Sequence, residues 1–214
     1  MPSLNNLNKP NLVSPPPQQS ATTSMNVWCV RDFGSPLVKQ TMSIPEINNT
    51  DQVLIKVKAS SVNPLDTEMV NGYGRRLLSV VKQLESCSTN AQSMLPLIAG
   101  RDCSGVVEYK GQQVTKFDIG DEVMGIVAPT WTGAHAEYVL SKESWCVKKP
   151  NNISHVQAAA LPYVACTVWA ALVSVSGFEN VSSRHQFSID SDFVYCNYSE
   201  KNRKEYISGR QLYA

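Results

Sequence analysis

Short apolar runs separated by turn residues are the feature of this sequence that most limits its fold. They recur from Met25 to Leu140, and the clearest of them is Val53–Ala59, in which every second residue is apolar. An alternation of period two is typical of a half-buried β-strand. Several short strands with turns between them favour a β-barrel or a β-sandwich.

Helical patterns occur in two other places. Residues 75–95 carry apolar side chains at helical spacing and predict either a short helix or a long mobile loop. Further on, Ser154 and Gln157 form a capping box that begins one helix, and Pro162 begins a second helix that we expect to run to about Val173. The predicted fold class is therefore mainly β with C-terminal helices.

Charge and hydropathy exclude two classes of protein. The net charge is +1, from 19 basic and 18 acidic residues, and no basic cluster is present. A nucleic-acid binder needs such a positive surface, so we expect no nucleic-acid partner. No apolar run approaches the roughly 18 residues that a membrane-spanning helix requires, so we expect no transmembrane segment.

The six cysteines are too widely scattered for a zinc site built from C-x-x-C pairs. The spacing is equally unlike a secreted disulfide framework in a small domain. We therefore interpret the cysteines as reduced, buried, small apolar residues. They stand at positions 29, 87, 103, 146, 166 and 196.

The first 24 residues differ in composition from the rest of the chain. They are rich in Pro, Asn, Ser and Gln, and Lys9 is their single charged residue. Such a segment has too little apolar surface to bury, so residues 1–24 are predicted to be disordered. A mitochondrial transit peptide is the alternative, although the segment has no Arg and contains three consecutive prolines.

Several polar residues could carry chemistry or only brace the fold. Asn63 precedes Pro64, which forces an extended backbone; its amide could then offer one acceptor and two donors to a ligand, or simply close an Asx-turn. Arg101 and Asp102 are adjacent in a turn and are predicted to brace neighbouring strands. Thr167 could cap a pocket or bond back to the preceding helical turn. The three histidines are predicted to be solvated or satisfied within the core.

The order of five motifs gives the chain a family resemblance. From about Met25 to Glu179 the sequence resembles the catalytic, GroES-like domain of the medium-chain dehydrogenase/reductase superfamily, which is a partly open β-barrel. Within that superfamily it is most similar to the reticulon-interacting, mitochondrial members of the zinc-free quinone-oxidoreductase branch. The motifs are VLIKVKASSVNPLD (53–66), PLIAGRDCSGVV (96–107), FDIGDEVMG (117–125), GAHAEYV (133–139) and AAALPYVACTVWAAL (158–172).

The same motifs separate the chain from the zinc-dependent members of the superfamily. Those members have a Cys in the region of Val62-Asn63 and Gly-His-Glu where this chain has Gly100-Arg101-Asp102. A guanidinium has no lone pair to donate to Zn²⁺ and an Asn is not a thiolate, so we expect no metal.

The resemblance implies hydride transfer from NADPH to a quinone or an enone without zinc. By that resemblance Asn63 and Tyr73 are the catalytic residues, and Asn63 and Thr167 contact the cofactor. It also implies a mitochondrial location, or a cytoplasmic one if the Arg-free N-terminal segment is no transit peptide. A non-catalytic module that binds a reticulon-type membrane protein is the alternative function.

The sequence departs from the family after Asn180. Residues 181–214 contain one glycine and no strand–GxGxxG–helix pattern, so the Rossmann domain of the family is missing from this sequence. We therefore divide the chain into a disordered segment (1–24), a GroES-like domain (25–180) and a poorly ordered non-family tail (181–214). The chain is expected to be a truncated oxidoreductase that is inactive by itself, derived from an alternative transcript or a gene model that extends into noncoding sequence.

Overall fold

The computed structural model describes residues 24–85, 93–171, 185–190, 193–198 and 204–207. Apart from Ser24, the predicted disordered segment lies outside these residues. The strands are β1 Ser24–Val30, β2 Val38–Ser43, β3 Gln52–Ala59, β4 Leu97–Ile98, β5 Asp102–Lys110, β6 Glu122–Ile126, β7 Tyr138–Lys142, β8 Cys146–Lys148, β9 His185–Asp190, β10 Phe193–Tyr198 and β11 Lys204–Ile207. The α-helices are α1 Pro64–Val70, α2 Arg75–Glu85, α3 His155–Ala159 and α4 Pro162–Trp169.

A curled antiparallel sheet of five strands, in the order β7-β3-β5-β6-β8, forms the main body. A second sheet has the order β2-β1-β4, and a single bridge between Val27 and Ala136 connects it with the segment that leads into β7. The mainly β fold with C-terminal helices is therefore confirmed.

The interior strand β3 is more deeply buried than its alternation predicts. Val53, Leu54 and Ile55 are all buried, so the first half of the strand is covered on both faces, and only Lys56–Ala59 shows the half-buried pattern. The reason is tertiary: Val53 and Ile55 face the main apolar core, and helix α3 packs against β3 and β5. Two of these side chains, Val53 and Ile55, belong to the main apolar core with Val107, Val123 and Val139.

The interruption between β3 and β4 contains two helices. Helix α2 decides the alternative left open for residues 75–95, since Arg75–Glu85 is helical. Its apolar side chains Leu77, Val80 and Leu84 are more than half exposed, and α2 buries no residue completely. The helix therefore presents an apolar stripe to the outside.

The predicted start signals of the C-terminal helices are correct. Ser154 caps α3: its Oγ accepts from the N–H of Gln157 at 3.2 Å, and the Gln157 side chain accepts from the N–H of Ser154 at 2.9 Å. Pro162 occupies the first turn of α4. The predicted end near Val173 lies outside the described residues.

Three strands are described within residues 181–214, where the sequence showed no clear period. They form an antiparallel sheet in the order β11-β10-β9. A doubly wound nucleotide-binding sheet is built from parallel strands with crossover helices, so these strands do not form one. Among the described residues, no helix is long and apolar enough to cross a lipid bilayer.

Candidate functional site

Asn63 lies between the end of β3 and the first turn of α1. Its backbone is extended, with φ −103° and ψ 158°, as the following proline predicts. Its N–H donates to Asp66 Oδ2 at 2.8 Å, and Asp66 is buried. The backbone of Asn63 is thus fixed by a carboxylate three residues ahead, as in a capping box.

The Asn63 side chain reaches across to β5 rather than only closing a turn. Its Nδ2 donates to Asp102 Oδ2 at 2.7 Å and to Ser61 Oγ at 3.2 Å. Ser61 Oγ in turn donates to Asp102 Oδ2 at 2.5 Å. Of the two alternatives left open by the sequence, the structure shows the two amide hydrogens bonded within the protein, to Ser61 and Asp102.

Asp102 joins this cluster to helix α4. The residue is fully buried, and its Oδ1 accepts from the backbone N–H of Tyr163 at 2.6 Å. Burial raises the pKa of Asp102, and the hydrogen bonds from Ser61, Asn63 and Tyr163 oppose that shift. A single carboxylate thus connects Asn63 with the first turn of the helix that carries Thr167.

Arg101 braces the turns around the site, as the sequence predicted. The side chain is 1% exposed and its Nε lies 3.7 Å from Asp66 Oδ1, which also accepts from the N–H of Gly100 at 2.7 Å. Burial lowers the pKa of Arg101 to about 10, and the charge of Asp66 opposes this shift. The guanidinium donates to the carbonyl oxygens of Ile98, Ala128 and Trp131 at 2.8, 2.6 and 3.1 Å.

Tyr73 and Thr167 are the other two predicted site residues. Tyr73 lies in the loop between α1 and α2 and is 65% exposed. Thr167 Oγ1 donates to the carbonyl oxygen of Tyr163 at 2.8 Å, which is the bond back to the preceding turn. No hydrogen bond connects either residue with Asn63 in the part of the chain that is described, and their assigned roles remain predictions.

The histidines bond to polar groups that the sequence did not connect with them. His155 Nδ1 lies 2.8 Å from Ser104 Oγ, and its Nε2 lies 3.2 Å from Glu122 Oε1. This Ser-His-Glu contact resembles a nucleophile triad in composition, but Ser104 is fully buried and donates to the carbonyl oxygen of Val123 at 3.0 Å. No substrate reaches such a hydroxyl, so the contact ties α3 to the sheet. His135 Nε2 lies 3.0 Å from the carbonyl oxygen of Ser61 and supports the site.

The cysteine interpretation is correct at three positions and wrong at one. Cys29, Cys103 and Cys146 are free and buried, whereas Cys166 is free but exposed on α4. Burial raises the pKa of Cys103 well above its ordinary value. Cys87 and the side chain of Cys196 lie outside the described part of the chain. Among the residues that are described, no group of three potential metal ligands occurs.

A cavity of about 400 Å³ lies away from Asn63. Its walls come from α2, the segment around β4 and residues 130–132, and include Met94 and Trp131. Neither Asn63, Tyr73 nor Thr167 lines it. The cavity and the predicted site are therefore different places on the molecule.

Comparisons with known proteins agree with this architecture. Residues 49–151 match the family described as Alcohol dehydrogenase GroES-like domain. Reticulon-4-interacting protein 1, mitochondrial, from Caenorhabditis elegans is 48% identical over 150 residues, which cover 70% of this chain and 40% of that protein. NAD(P)H oxidoreductase RTN4IP1, mitochondrial, from Mus musculus is 38% identical over 162 residues, covering 74% of this chain and 41% of the mouse protein.

A solved structure shows the same fold. The quinone oxidoreductase from Coxiella burnetii is 33% identical, with a TM-score of 0.60, over 72% of this chain and 45% of that one. The chain thus spans about 40% of the length of the curated relatives it matches.

Proposed function

Because the chain belongs to the medium-chain dehydrogenase/reductase superfamily, of which it carries the GroES-like domain, we propose that it forms the acceptor side of an NADPH-dependent reductase. The proposed reaction is hydride transfer to a quinone or an enone without zinc. The observation that carries the proposal is the Asn63 carboxamide, held by Asp102 beside the first turn of α4. The names of the mouse and Coxiella relatives, an NAD(P)H oxidoreductase and a quinone oxidoreductase, support the reaction class.

The described residues fit the nicotinamide end of the cofactor, which when bound supplies the hydride. Asn63 can accept a hydrogen bond at its amide oxygen, and the Thr167 hydroxyl, whose hydrogen is used by Tyr163, can likewise only accept. Tyr73, exposed at the end of α1, is proposed as a wall of the acceptor pocket. The contribution of these residues is orientation and exclusion of water.

The diphosphate of the cofactor fits these residues poorly. An anion favours the N-terminal turn of a helix, but at α4 the Asp102 carboxylate already bonds to the N–H of Tyr163. Ser154 caps α3 in the same way. We therefore propose that this chain by itself binds NADPH weakly and does not turn over.

Binding of duroquinone, a quinone that does not alkylate thiols, tests the acceptor site. In two-dimensional NMR of the ¹⁵N-labelled chain, we expect shifts at Asn63 and in the Tyr73 loop, and weaker binding in Asn63→Leu and Tyr73→Leu. A Val156→Leu variant, changed at an exposed position on α3, is the matched control. Shifts confined to the 400 Å³ cavity around Met94 and Trp131 would contradict the proposed site. Quinone-dependent NADPH oxidation by the chain alone at an ordinary enzymatic rate would contradict its inactivity.

A second function is binding of a reticulon-type membrane protein, which the name of the Caenorhabditis relative suggests. The exposed apolar stripe of α2, formed by Leu77, Val80 and Leu84, is the surface that favours it. Titration with a purified reticulon-4 segment should show binding that Leu77→Ser and Leu84→Ser abolish and that Val156→Ser leaves intact. Equal loss in all three variants would refute a role for α2.

The mitochondrial location is also a proposal, supported by the names of the mitochondrial relatives. Fusion of residues 1–24 to a fluorescent protein tests it, since import requires a targeting signal in that segment. The limits of the GroES-like domain, 25–180, are likewise a proposal, which rests on the family resemblance. Limited proteolysis followed by mass spectrometry tests them.

A further inference from the structure

One side of helix α2 holds it to the rest of the domain. Leu78 packs against an apolar cluster that includes Met69 and Met94. One turn further along, Lys82 Nζ donates to the carbonyl oxygen of Ser93 at 3.2 Å. Positions 78 and 82 share one side of the helix, so this is its attached face.

The apolar stripe of α2 lies on the other side. Leu77, Val80 and Leu84 are spaced three and four residues apart, so they form one row along the helix. Their exposed fractions are 68%, 53% and 72%, and none of the three lines the 400 Å³ cavity. A row of large aliphatic side chains in water is unfavourable, which favours a partner that covers it.

The beginning of α2 is positively charged. Arg75 and Arg76 are both exposed, and the first turn contains no acidic residue. Cations are unfavourable at a helix N-terminus, where the macrodipole is already positive, so these arginines do not serve the stability of the helix. In the described part of the chain neither forms an ion pair, although Arg75 lies over the Phe33 ring at 5.8 Å. This end of the helix therefore attracts an anion from outside the chain.

The single acidic residue of α2 lies at the other end of the helix. Glu85 is its last residue, and Glu85 Oε2 accepts from Thr130 Oγ1 at 2.8 Å. The carboxylate is thus bonded to the body of the domain. Since α2 has three basic residues and one acidic residue, its positive charge is concentrated in its first turn.

We propose that α2 is an interfacial helix that docks the chain on an anionic lipid bilayer, with the apolar stripe in the acyl region and Arg75 and Arg76 on the headgroup phosphates. An apolar row with basic residues beside it is the arrangement that binds in the plane of a bilayer. A bilayer covers projecting side chains without shape complementarity, whereas a protein partner needs pockets that receive them. The inference goes beyond the proposed reductase and does not rest on it. It competes with the reticulon-type partner for the same stripe.

Flotation of the full chain with lipid vesicles tests this docking. We expect binding to vesicles of equimolar phosphatidylglycerol and phosphatidylcholine, and much weaker binding to phosphatidylcholine alone. High salt should weaken the binding, because it screens the arginines from the headgroups. Equal binding to both kinds of vesicle, or binding to neither, would overturn the proposal.

Variants of α2 separate the apolar contribution from the electrostatic one. The double variant Leu77→Ser/Leu84→Ser should lose vesicle binding, and Arg76→Gln should weaken it about five-fold. Lys58→Gln and Lys116→Gln remove the same charge at exposed positions outside α2 and are the matched controls, which should retain binding. An equal loss in the arginine variant and in these controls would show that α2 is not the contact surface.

A tryptophan placed in the stripe shows directly which surface meets the lipid. In Leu77→Trp we expect the emission, corrected for the native tryptophans with the wild type, to shift to shorter wavelength on anionic vesicles, because the indole leaves water. Val156→Trp places the same probe at a position on α3 that is 74% exposed, and its emission should not shift. A shift at position 156 without one at position 77 would assign the lipid contact to the C-terminal helices and overturn the proposal.

A purified reticulon-4 segment offered without lipid separates the two occupants of the stripe. Binding of the segment that Leu77→Ser removes, in a chain that does not bind anionic vesicles, would overturn the lipid proposal. Vesicle binding without binding of the segment would support the lipid surface and refute the second proposed function. Duroquinone shifts at Asn63 are measured independently of both, so the reductase proposal stands or fails separately. All changed positions are exposed, and circular dichroism of each variant should match the wild type.

Discussion

Replacement of Arg101 by Met tests how much of the site depends on one buried cation. Arg101 donates to three backbone carbonyl oxygens and faces Asp66, and it is 1% exposed. The carbonyl oxygens of Ile98 and Ala128 keep the N–H donors of Gly133 and Trp131, so breaking the buried ion pair is the larger cost, about 3–5 kcal/mol. The lowered pKa of Arg101 indicates that burial of its charge is unfavourable. Removing the charge therefore recovers part of the free energy that the lost contacts cost. We expect a net loss of about 3–5 kcal/mol.

Urea unfolding at neutral pH measures this loss. The Trp131 and Trp145 rings lie 5.2 Å apart, and Trp131 accepts from Arg101 through its carbonyl oxygen, so tryptophan fluorescence reports on this region. Arg75→Met is the matched control, because Arg75 is exposed and lies over the Phe33 ring at 5.8 Å. That contact is worth about 0.5–1 kcal/mol at an exposed site.

The cost arises at Asp66, whose two oxygens still accept from the N–H groups of Asn63 and Gly100 but lose the cation that faces them. A loss for Arg101→Met below about 1 kcal/mol, equal to that of the control, would refute the argument that this guanidinium braces the turns.

Three further predictions concern packing, pH and thiol reactivity. Gly133→Ala should lower the free energy of unfolding by about 2–4 kcal/mol, because a methyl group there would overlap a backbone carbonyl and the Arg101 guanidinium. In the control Gly120→Ala the methyl group meets open space, so the cost is only about 1 kcal/mol for the positive φ. Similar urea midpoints for the two variants would contradict this prediction. Hydrogen bonds from Lys149 and His155 lower the pKa of Glu122, so its stabilising effect is present at neutral pH and is lost as the pH falls through that pKa. The free energy of unfolding of Glu122→Gln should therefore lie below that of the wild type at neutral pH, and this difference should shrink in acid. A difference that does not change with pH would argue against the linkage. Maleimide should label Cys166 in the native chain while the buried thiols of the described region react only after unfolding, as peptide mass spectrometry can check.

The local elements were predictable because their signals are local. The Ser154–Gln157 box and Pro162 begin helices in the structure as they do in the sequence. The alternation in β3 predicted a strand but not the burial of Leu54, since burial depends on what packs on the faces of the sheet, here helix α3, and not on the strand itself. The outward apolar face of α2 was unpredictable for the same reason.

The site was predictable only in part. The extended backbone of Asn63 and the bracing role of Arg101 followed from proline chemistry and turn composition, whereas a ligand contact at Asn63 came from the family resemblance alone. Asp66 could have been found from its capping-box spacing to Asn63. The partnership of Asn63 with Asp102 spans 39 positions, and no local pattern encodes it. The sequence therefore could not show that the two amide hydrogens of Asn63 are bonded to Ser61 and Asp102.

The proline that follows Asn63 has a chemical consequence for the lifetime of the protein. Asparagine deamidates to aspartate chiefly through attack of the next residue's backbone nitrogen on the side-chain amide. That nitrogen must lose its hydrogen in the attack. Pro64 has no hydrogen on that nitrogen, so this route is closed at position 63. Such a conversion would place a second carboxylate 2.7 Å from Asp102 Oδ2, and the two groups would repel each other unless one of them were protonated. The Asn63 side chain, whose conversion would place a second acid beside Asp102, is thus protected from this reaction by its own neighbour in the chain.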